Sequence, residues 1–414
     1  MFMNVNELIT PVEEAREIVL ASVCPLDNEI IPIIDSYNRV LYQDIISSIM
    51  IPSADDSAMD GYAVIAGDTL GASDNTPVSL RVTGEVRSGG PAFDGKVSQG
   101  TAVRIMTGAL IPEGADSVIE VECTEEENGS VRLFKQVDKQ TNCRSAGESI
   151  KKGDLILRQG VRLSSADVGL LASMNYNTVN VYRQATVAII STGDELVDLG
   201  NETHRGQIRD TNAYVIYSEV KKLNAVPRYL GITKDTLQDI KDVFLKALEA
   251  DVVISTGGVS KGKYDFVKMA YRDLGIETQF ANVNVKPGKP CTFGTKGAKL
   301  IFGLPGNPVS ALTSFIQFVR PALLSLMGAV NINQPVVNAY LEEDIKIKSG
   351  RVHFLRGLFT VKNNDFYVTT TGNQKSSVLS SMSKANCLIM LPEHIAGIKA
   401  GEKVPIQLIN HSEI

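Results

Sequence analysis

The chain has no tryptophan and only four histidines, His204, His353, His394 and His411, none at metal-ligand spacing from another. Histidine-rich zinc or iron sites are therefore not expected. The five cysteines, Cys24, Cys123, Cys143, Cys291 and Cys387, are odd in number and widely scattered. They suggest neither a zinc cluster nor a disulfide framework, and a reducing cytoplasm is the compartment expected. A basic stripe is missing too. With 41 Lys and Arg against 47 Asp and Glu the formal charge is −6, which argues against a nucleic-acid partner. Glu7, Glu13, Glu14 and Glu17 interrupt the first twenty residues, so no secretory leader is expected. The most apolar stretch, 309–327, contains Arg320 and Pro321 and is expected to be too short and too interrupted to span a bilayer. A soluble protein without a membrane partner follows as the expectation.

What is present is enough apolar material, 43% of 414 residues, for several packed cores. Thr10, Pro11 and Glu13 have the order of a capping box, and Val12, Ala15, Val19 and Val23 follow on one helical face. Residues 51–147 change character: short β-rich runs (78–82, 102–106, 131–137) lie between Gly, Pro, Asn and Asp clusters. Helical spacing returns at 160–175, so this β domain is expected to be inserted into a discontinuous framework domain, 1–50 and 148–183. Residues 184–328 alternate predicted strands (187–191, 226–232, 251–255, 299–303) with predicted helices (212–223, 237–249, 264–274, 309–327). That alternation predicts a central α/β domain with a mostly parallel sheet. The tail, 329–414, reads as a C-terminal β domain, with strands clearest at 367–371 and 404–409. The fold class expected is multidomain, α/β plus β.

Four loops of the α/β region fall where such sheets bind ligands, outside the carboxyl ends of the strands. Ser191-Thr192-Gly193-Asp194-Glu195-Leu196 puts small and acidic groups there, suited either to a hard cation such as magnesium or to a plain capped turn. Ser255-Thr256-Gly257-Gly258-Val259-Ser260-Lys261-Gly262-Lys263-Tyr264-Asp265 runs from a strand through paired glycines into a helix, which favours an anion on backbone N–H groups over mere tight packing. It lacks the spacing of a Walker loop. In Lys286-Pro287-Gly288-Lys289-Pro290 two prolines and a glycine hold two lysines in fixed places, as a small oxyanion site requires. Gly303-Leu304-Pro305-Gly306-Asn307-Pro308 leads into the last long helix, with Asn307 placed to cap it and Pro308 at its first position. Asp60-Gly61 and Thr107-Gly108 read by themselves as a turn and a strand end. No nucleophile–base pair stands out. The residues alone point to an α/β protein that binds a phosphorylated or oxyanionic ligand, with magnesium as an option.

Taken together and in order, these stretches closely resemble the molybdopterin molybdenumtransferase family, which includes the E domain of gephyrin. The matching runs are SAMDGYAV from Ser57, RIMTGA from Arg104, STGDEL from Ser191, RDTN from Arg209, STGGVSKGKYD from Ser255, KPGKP from Lys286, GLPGNPVSA from Gly303, RVHFLRG from Arg351 and the tail from Thr369. The resemblance runs the length of the chain. It implies four domains in an elongated homodimer, with the C-terminal domain of one subunit facing the α/β crevice of the other. It also implies a reaction of adenylylated molybdopterin with molybdate and magnesium that releases AMP and the metal-loaded cofactor. Residue by residue, Glu195, Asp235 and Asp265 would bind ligand or Mg2+. Gly257, Gly258 and Ser260 would lie against the ligand. Lys286, Lys289 and Pro290 would hold molybdate, and Pro305 and Pro308 would shape the adjoining wall. Arg356 and Ser376 would complete the oxyanion site, and Asp60 and Thr107 would approach it from the β domain, against their structural reading above. The adenylyltransferase of the preceding step would be a further partner. Two positions depart from the family pattern: Ser149 stands where an aspartate is usual, and Asn282 where a basic residue is common. Lys261, in place of an apolar residue, would compensate for the latter. The competing readings are a pterin adenylyltransferase, which the α/β domain also resembles, and a non-catalytic pterin-binding scaffold.

Overall fold

A computed structural model of the chain describes residues 9–257 and 264–409. The chain forms two compact units, one of Met1–Gln43, Gln159–Val168 and Asn177–Ile414, the other of Asp44–Arg158 and Gly169–Tyr176.

The larger unit holds the α/β sheet. Its strands are β1 (Thr186–Thr192), β2 (Val226–Thr233), β3 (Val252–Thr256), β4 (Glu277–Phe280), β6 (Thr292–Lys296) and β7 (Lys299–Leu304), with a short β5 (Val285–Lys286) outside it. The sheet order is β2-β1-β3-β7-β6-β4. The first three ladders are parallel, and the β7-β6-β4 edge is antiparallel. Sequence periodicity missed β4 and β6, because the alternation in TFGTK and ETQF is too short to register.

The apolar run of β1 is buried on both faces, as a covered parallel strand must be. Val187 and Ile189 pack with α1 (Asn212–Lys222) and the last long helix, while Ala188 and Ile190 pack with α2 (Leu237–Ala247) and α3 (Tyr264–Asp273). From β1 the chain turns to one side to form β2, then crosses to the other side for β3. That reversal opens a crevice at the carboxyl ends of β1 and β3.

The long helix spans Pro308–Leu326, 19 residues of which most are buried. Contrary to the sequence expectation, Arg320 and Pro321 do not interrupt it. A π-helical turn, Phe315–Val319, precedes them. Its wider hydrogen-bond spacing accommodates a proline that cannot donate to the preceding turn. The helix is thus long and apolar enough to cross a membrane, and it lies in the core shared by sheet and barrel.

The predicted C-terminal strands close into a barrel. Strands β8 (Val336–Leu341), β9 (Val352–Lys362), β10 (Asp365–Thr370), β11 (Cys387–Leu391) and β12 (Lys403–Leu408) pair in the order β9-β10-β8-β12-β11 and back to β9. Alternation along β9 divides its side chains. Leu355 and Phe359 fill the barrel, and Phe354 joins the α/β core. The short β5 pairs in parallel with β9, with Lys286 opposite His353.

At the N-terminus the predicted capping box does not form. The helix Val12–Ala21 has Pro11 as its N-cap with no side-chain cap. The Thr10 backbone is taken up instead in a bridge, its N–H donating to Asn282 O at 2.9 Å and its carbonyl accepting from Asn284 N at 2.8 Å.

The smaller unit carries a six-stranded sheet in the order Ser117–Glu120, Gly61–Val64, Thr101–Ile105, Val78–Val86, Ser130–Leu133, Thr124–Glu127. The pairing of Val78–Val86 with Thr101–Ile105 is parallel and the other ladders are antiparallel.

Candidate functional site

Two adjoining cavities occupy the crevice of the larger unit. The smaller, about 450 Å³, lies at the ends of β1 and β3 and is lined by Thr192, Glu195, Asp235, Thr256, Gly257 and Pro305, among others. Pro290 and Asn307 line both cavities. The second, about 1100 Å³, lies between the Lys286–Pro290 loop and the barrel, and its walls include Lys286, Lys289, Arg351, Arg356, Lys375 and Ser376.

The floor of the smaller cavity is built by close backbone approach. Gly257 has φ +85° and its missing Cβ would sit 2.3 Å from the Thr192 carbonyl, so only glycine lets β3 turn there. Ser191 and Thr256 share a hydrogen bond of 3.2 Å between their hydroxyls. Glu195 is exposed and Asp235 half-buried on the same wall. Among the described residues no three potential metal-ligating side chains converge. Two carboxylates beside an anionic ligand still match the habits of Mg2+, which keeps several waters and uses one or two protein carboxylates with substrate phosphates.

The larger cavity is cationic. The loop bearing Lys286 and Lys289 starts in β5 and contains a cis Lys286–Pro287 bond. Gly288 has φ +116°, and a Cβ there would come within 2.8 Å of Ser314 Oγ, which fixes the loop against the long helix. Arg356 is 0% exposed. Its Nε donates to Ser381 Oγ at 3.1 Å and its Nη2 to the carbonyls of Asn373 and Lys375 at 3.1 and 3.2 Å. Its Nη1 is buried and has no partner. None of these acceptors is a carboxylate, so the guanidinium charge is uncompensated. Burial pulls its pKa down to about 10. A buried cation lacking a counter-ion beside two anchored lysines is what an oxyanion would neutralise. The carboxylates nearby are committed elsewhere: Glu343 accepts from Thr369 Oγ1 and Thr370 N, and Asp344 from Lys399 Nζ and Ala400 N.

The structure therefore brings together Glu195, Asp235, Gly257 and Pro305 in one cavity and Lys286, Lys289, Arg356 and Ser376 in the next, with Pro290 between them. Pro308 opens the long helix without lining either cavity, though the Val309 N–H donates to Ser376 O at 3.1 Å. Asn307 is the N-cap as expected, but without a side-chain cap bond. Gly258, Ser260 and Lys261 lie outside the described residues, as does the side chain of Asp265. Asp60 and Thr107 meet in the smaller unit, where Asp60 Oδ1 accepts from Thr107 N and Oγ1, both at 2.7 Å. Those two bonds hold the Asp60 carboxyl below the usual carboxylate pKa. Ser149, also there, donates its N–H to Ile51 O. Asn282 lines neither cavity.

This chain's own barrel lies over the lysine loop, because β5, which carries Lys286, pairs directly with β9. Sequence reading gave no role to Lys346, Lys348, Arg351 and Lys375, which line the larger cavity, although the runs that contain Arg351 and Lys375 were noted. Their spacing carries no pattern, and only closure of the barrel gathers them. Asn212 also went unassigned, although the motif that contains it was noted.

Three family models match the chain: the MoeA N-terminal region (domains I and II) over residues 10–175, a probable molybdopterin binding domain over 188–325, and the MoeA C-terminal region (domain IV) over 338–409. The chain is 38% identical to the molybdopterin molybdenumtransferase of Haemophilus influenzae, covering 94% of this chain and 95% of that one. It is 34% identical to the Staphylococcus aureus protein of the same name, over 96% of this chain and 95% of that one. The crystal structure of the molybdopterin biosynthesis moeA protein from Pyrococcus horikoshii OT3 superposes with a TM-score of 0.83 at 31% identity, covering 97% of this chain and 100% of that one. With near-full-length relatives above 30% identity and the same multidomain fold, the chain belongs to the molybdopterin molybdenumtransferase family of molybdenum cofactor biosynthesis.

Proposed function

We propose that this protein transfers molybdenum from molybdate into adenylylated molybdopterin and releases AMP. The observation that carries the reading is the buried, carboxylate-free Arg356 facing a cationic cavity that adjoins an acidic one. The two cavities suit two ligands, an oxyanion and a phosphorylated pterin, in contact at Pro290 and Asn307. Lys286, Lys289 and Arg356 would hold the tetraoxo dianion by charge-assisted hydrogen bonds, with Ser376 adding a hydroxyl. Glu195 and Asp235 would hold magnesium with the ligand's phosphate oxygens. When bound, the metal supplies charge neutralisation at the departing phosphate. The chain's own part is to fix the two ligands in register, since among the described residues no nucleophile–base pair is assigned to the cavities. A cytoplasmic homodimer belongs to the same reading, as does magnesium dependence.

The test mixes the purified protein with adenylylated molybdopterin, Mg2+ and limiting molybdate and follows AMP and metal-bound pterin. Molybdate-dependent AMP release is expected, reduced on the order of 10- to 100-fold by Lys286→Ala, in line with the loss of a hydrogen bond to a charged group. ATP-dependent adenylylation of metal-free molybdopterin would instead establish the preceding reaction. Tight pterin binding without AMP release would make the protein a scaffold.

A further inference from the structure

We propose that Asn212 determines specificity in the smaller cavity by accepting a hydrogen bond from an N–H donor on the heterocyclic part of the ligand. The inference rests on the pterin-nucleotide reading above and names a residue that reading leaves unused.

Asn212 opens helix α1 and is 8% exposed. It lines the smaller cavity. Its Nδ2 donates to the Gly306 carbonyl at 2.8 Å. A carbonyl oxygen only accepts, so the amide cannot be turned end for end without setting two acceptors against each other. The orientation is thereby fixed by chemistry, and Oδ1 is left as the free end. That oxygen is buried and has no hydrogen-bond partner. A buried acceptor with no donor is costly to leave so, and native structures rarely do without a reason.

Two neighbours in the same motif are bonded within the chain. Asp210 is buried, with Oδ1 accepting from Ala213 N at 3.2 Å and Oδ2 from Tyr229 Oη at 3.0 Å. Arg209 Nη1 donates to Asp198 O at 2.8 Å. Among the described polar side chains that line this cavity, Asn212 is the one with a buried acceptor left without a donor. An acceptor held this way selects a ligand edge that presents a donor to it. Amino and ring N–H groups of a fused nitrogen heterocycle supply such an edge, and both a pterin and an adenine have one.

The experiment measures binding by calorimetry to the full chain, with and without Mg2+. The ligand pairs are AMP with its deamino analogue purine riboside monophosphate, and 6-carboxypterin with 6-carboxylumazine. The proteins are wild type, Asn212→Ala, and Asn212→Asp, which keeps an acceptor but loses the donor to Gly306. Wild type is expected to prefer the amino member of one pair on the order of 10- to 100-fold, the effect of denying a buried acceptor its donor. Asn212→Ala should bind both members of that pair alike, and Asn212→Asp should retain the preference. The pair that responds identifies which heterocycle sits there. Preference that survives Asn212→Ala overturns the proposal. So does equal weakening of every ligand, which would mean a loop tether only, or a loss seen only with Mg2+ and equal for both members, which would mean a metal ligand. Failure of wild type to bind either pair would overturn the pterin-nucleotide reading itself together with this inference.

Discussion

Arg356 shows how much a single side chain can reveal. Lysines at a cavity rim are commonly solvated and say little, but a guanidinium that is wholly buried, bonded only to neutral oxygens and left with one unpaired nitrogen is held against its own desolvation. An anion in the cavity would relieve that, so ligand binding and stability should be linked there. Molybdate or tungstate is expected to raise the melting temperature of the wild type in a concentration-dependent way. In Arg356→Met, where an apolar chain of similar length replaces the charge, the oxyanion shift should vanish while the unliganded melting temperature stays within a few degrees of wild type. Thermal melts at several oxyanion concentrations check this. An undiminished shift in the variant would place the anion elsewhere.

At the scale of elements, the sheet is tied at the end opposite the crevice. Asp251, just before β3, takes both arms of Arg183, at 2.8 and 2.7 Å, and accepts from Thr186 N and Oγ1, both at 2.8 Å, at the start of β1. Burial alone would raise the Asp251 pKa, but the Arg183 and Thr186 hydrogen bonds outweigh it and lower the value to about 2. Because the folded-state pKa lies below the ordinary 3.8, the stabilisation is fully present above about pH 4 and is lost as pH falls toward about 2. Asp251→Asn is expected to cost about 2 kcal/mol at neutral pH. The difference from wild type should shrink progressively in denaturant titrations below pH 4. Ligand affinity should not change, since Asp251 lines neither cavity.

For the whole molecule, the exposed apolar residues of the larger unit are informative. Ile30 is 70% exposed, Ile34 81% and Tyr37 60%, all within a short stretch of chain. An exposed cluster of this kind fits a surface covered by a second copy, consistent with the proposed homodimer. Sedimentation velocity is expected to give twice the 44.8 kDa chain mass for wild type and the single-chain mass for Ile30→Asp/Ile34→Asp. Wild type sedimenting as a single chain would rule the homodimer out. Charge also acts at this scale. The chain is net negative at −6 and would repel an oxyanion at long range, yet the large cavity gathers Lys286, Lys289, Arg351, Arg356 and Lys375. Local sign, not net charge, governs the approach of ligand there.

The sequence by itself determined the alternation of strands and helices in the α/β region, because apolar runs such as Val187–Ile190 and the helical spacing of 212–223 record burial directly. It also determined the loops at the strand ends, since glycine and proline restrict the backbone locally whatever surrounds them. Their family resemblance followed from the same short motifs. Only the tertiary structure decided what lies across the chain. Pairing of β5 with β9 placed this chain's own barrel over the lysine loop, closure of the barrel buried Arg356 without a carboxylate, and the Thr10 backbone went to a bridge instead of a capping box. The same holds for Asn212, whose tether to Gly306 lies 94 residues away and leaves its oxygen unpaired. Local patterns report the period of burial along a segment, whereas the partner of a polar atom is set by segments distant in sequence, and no local pattern carries it.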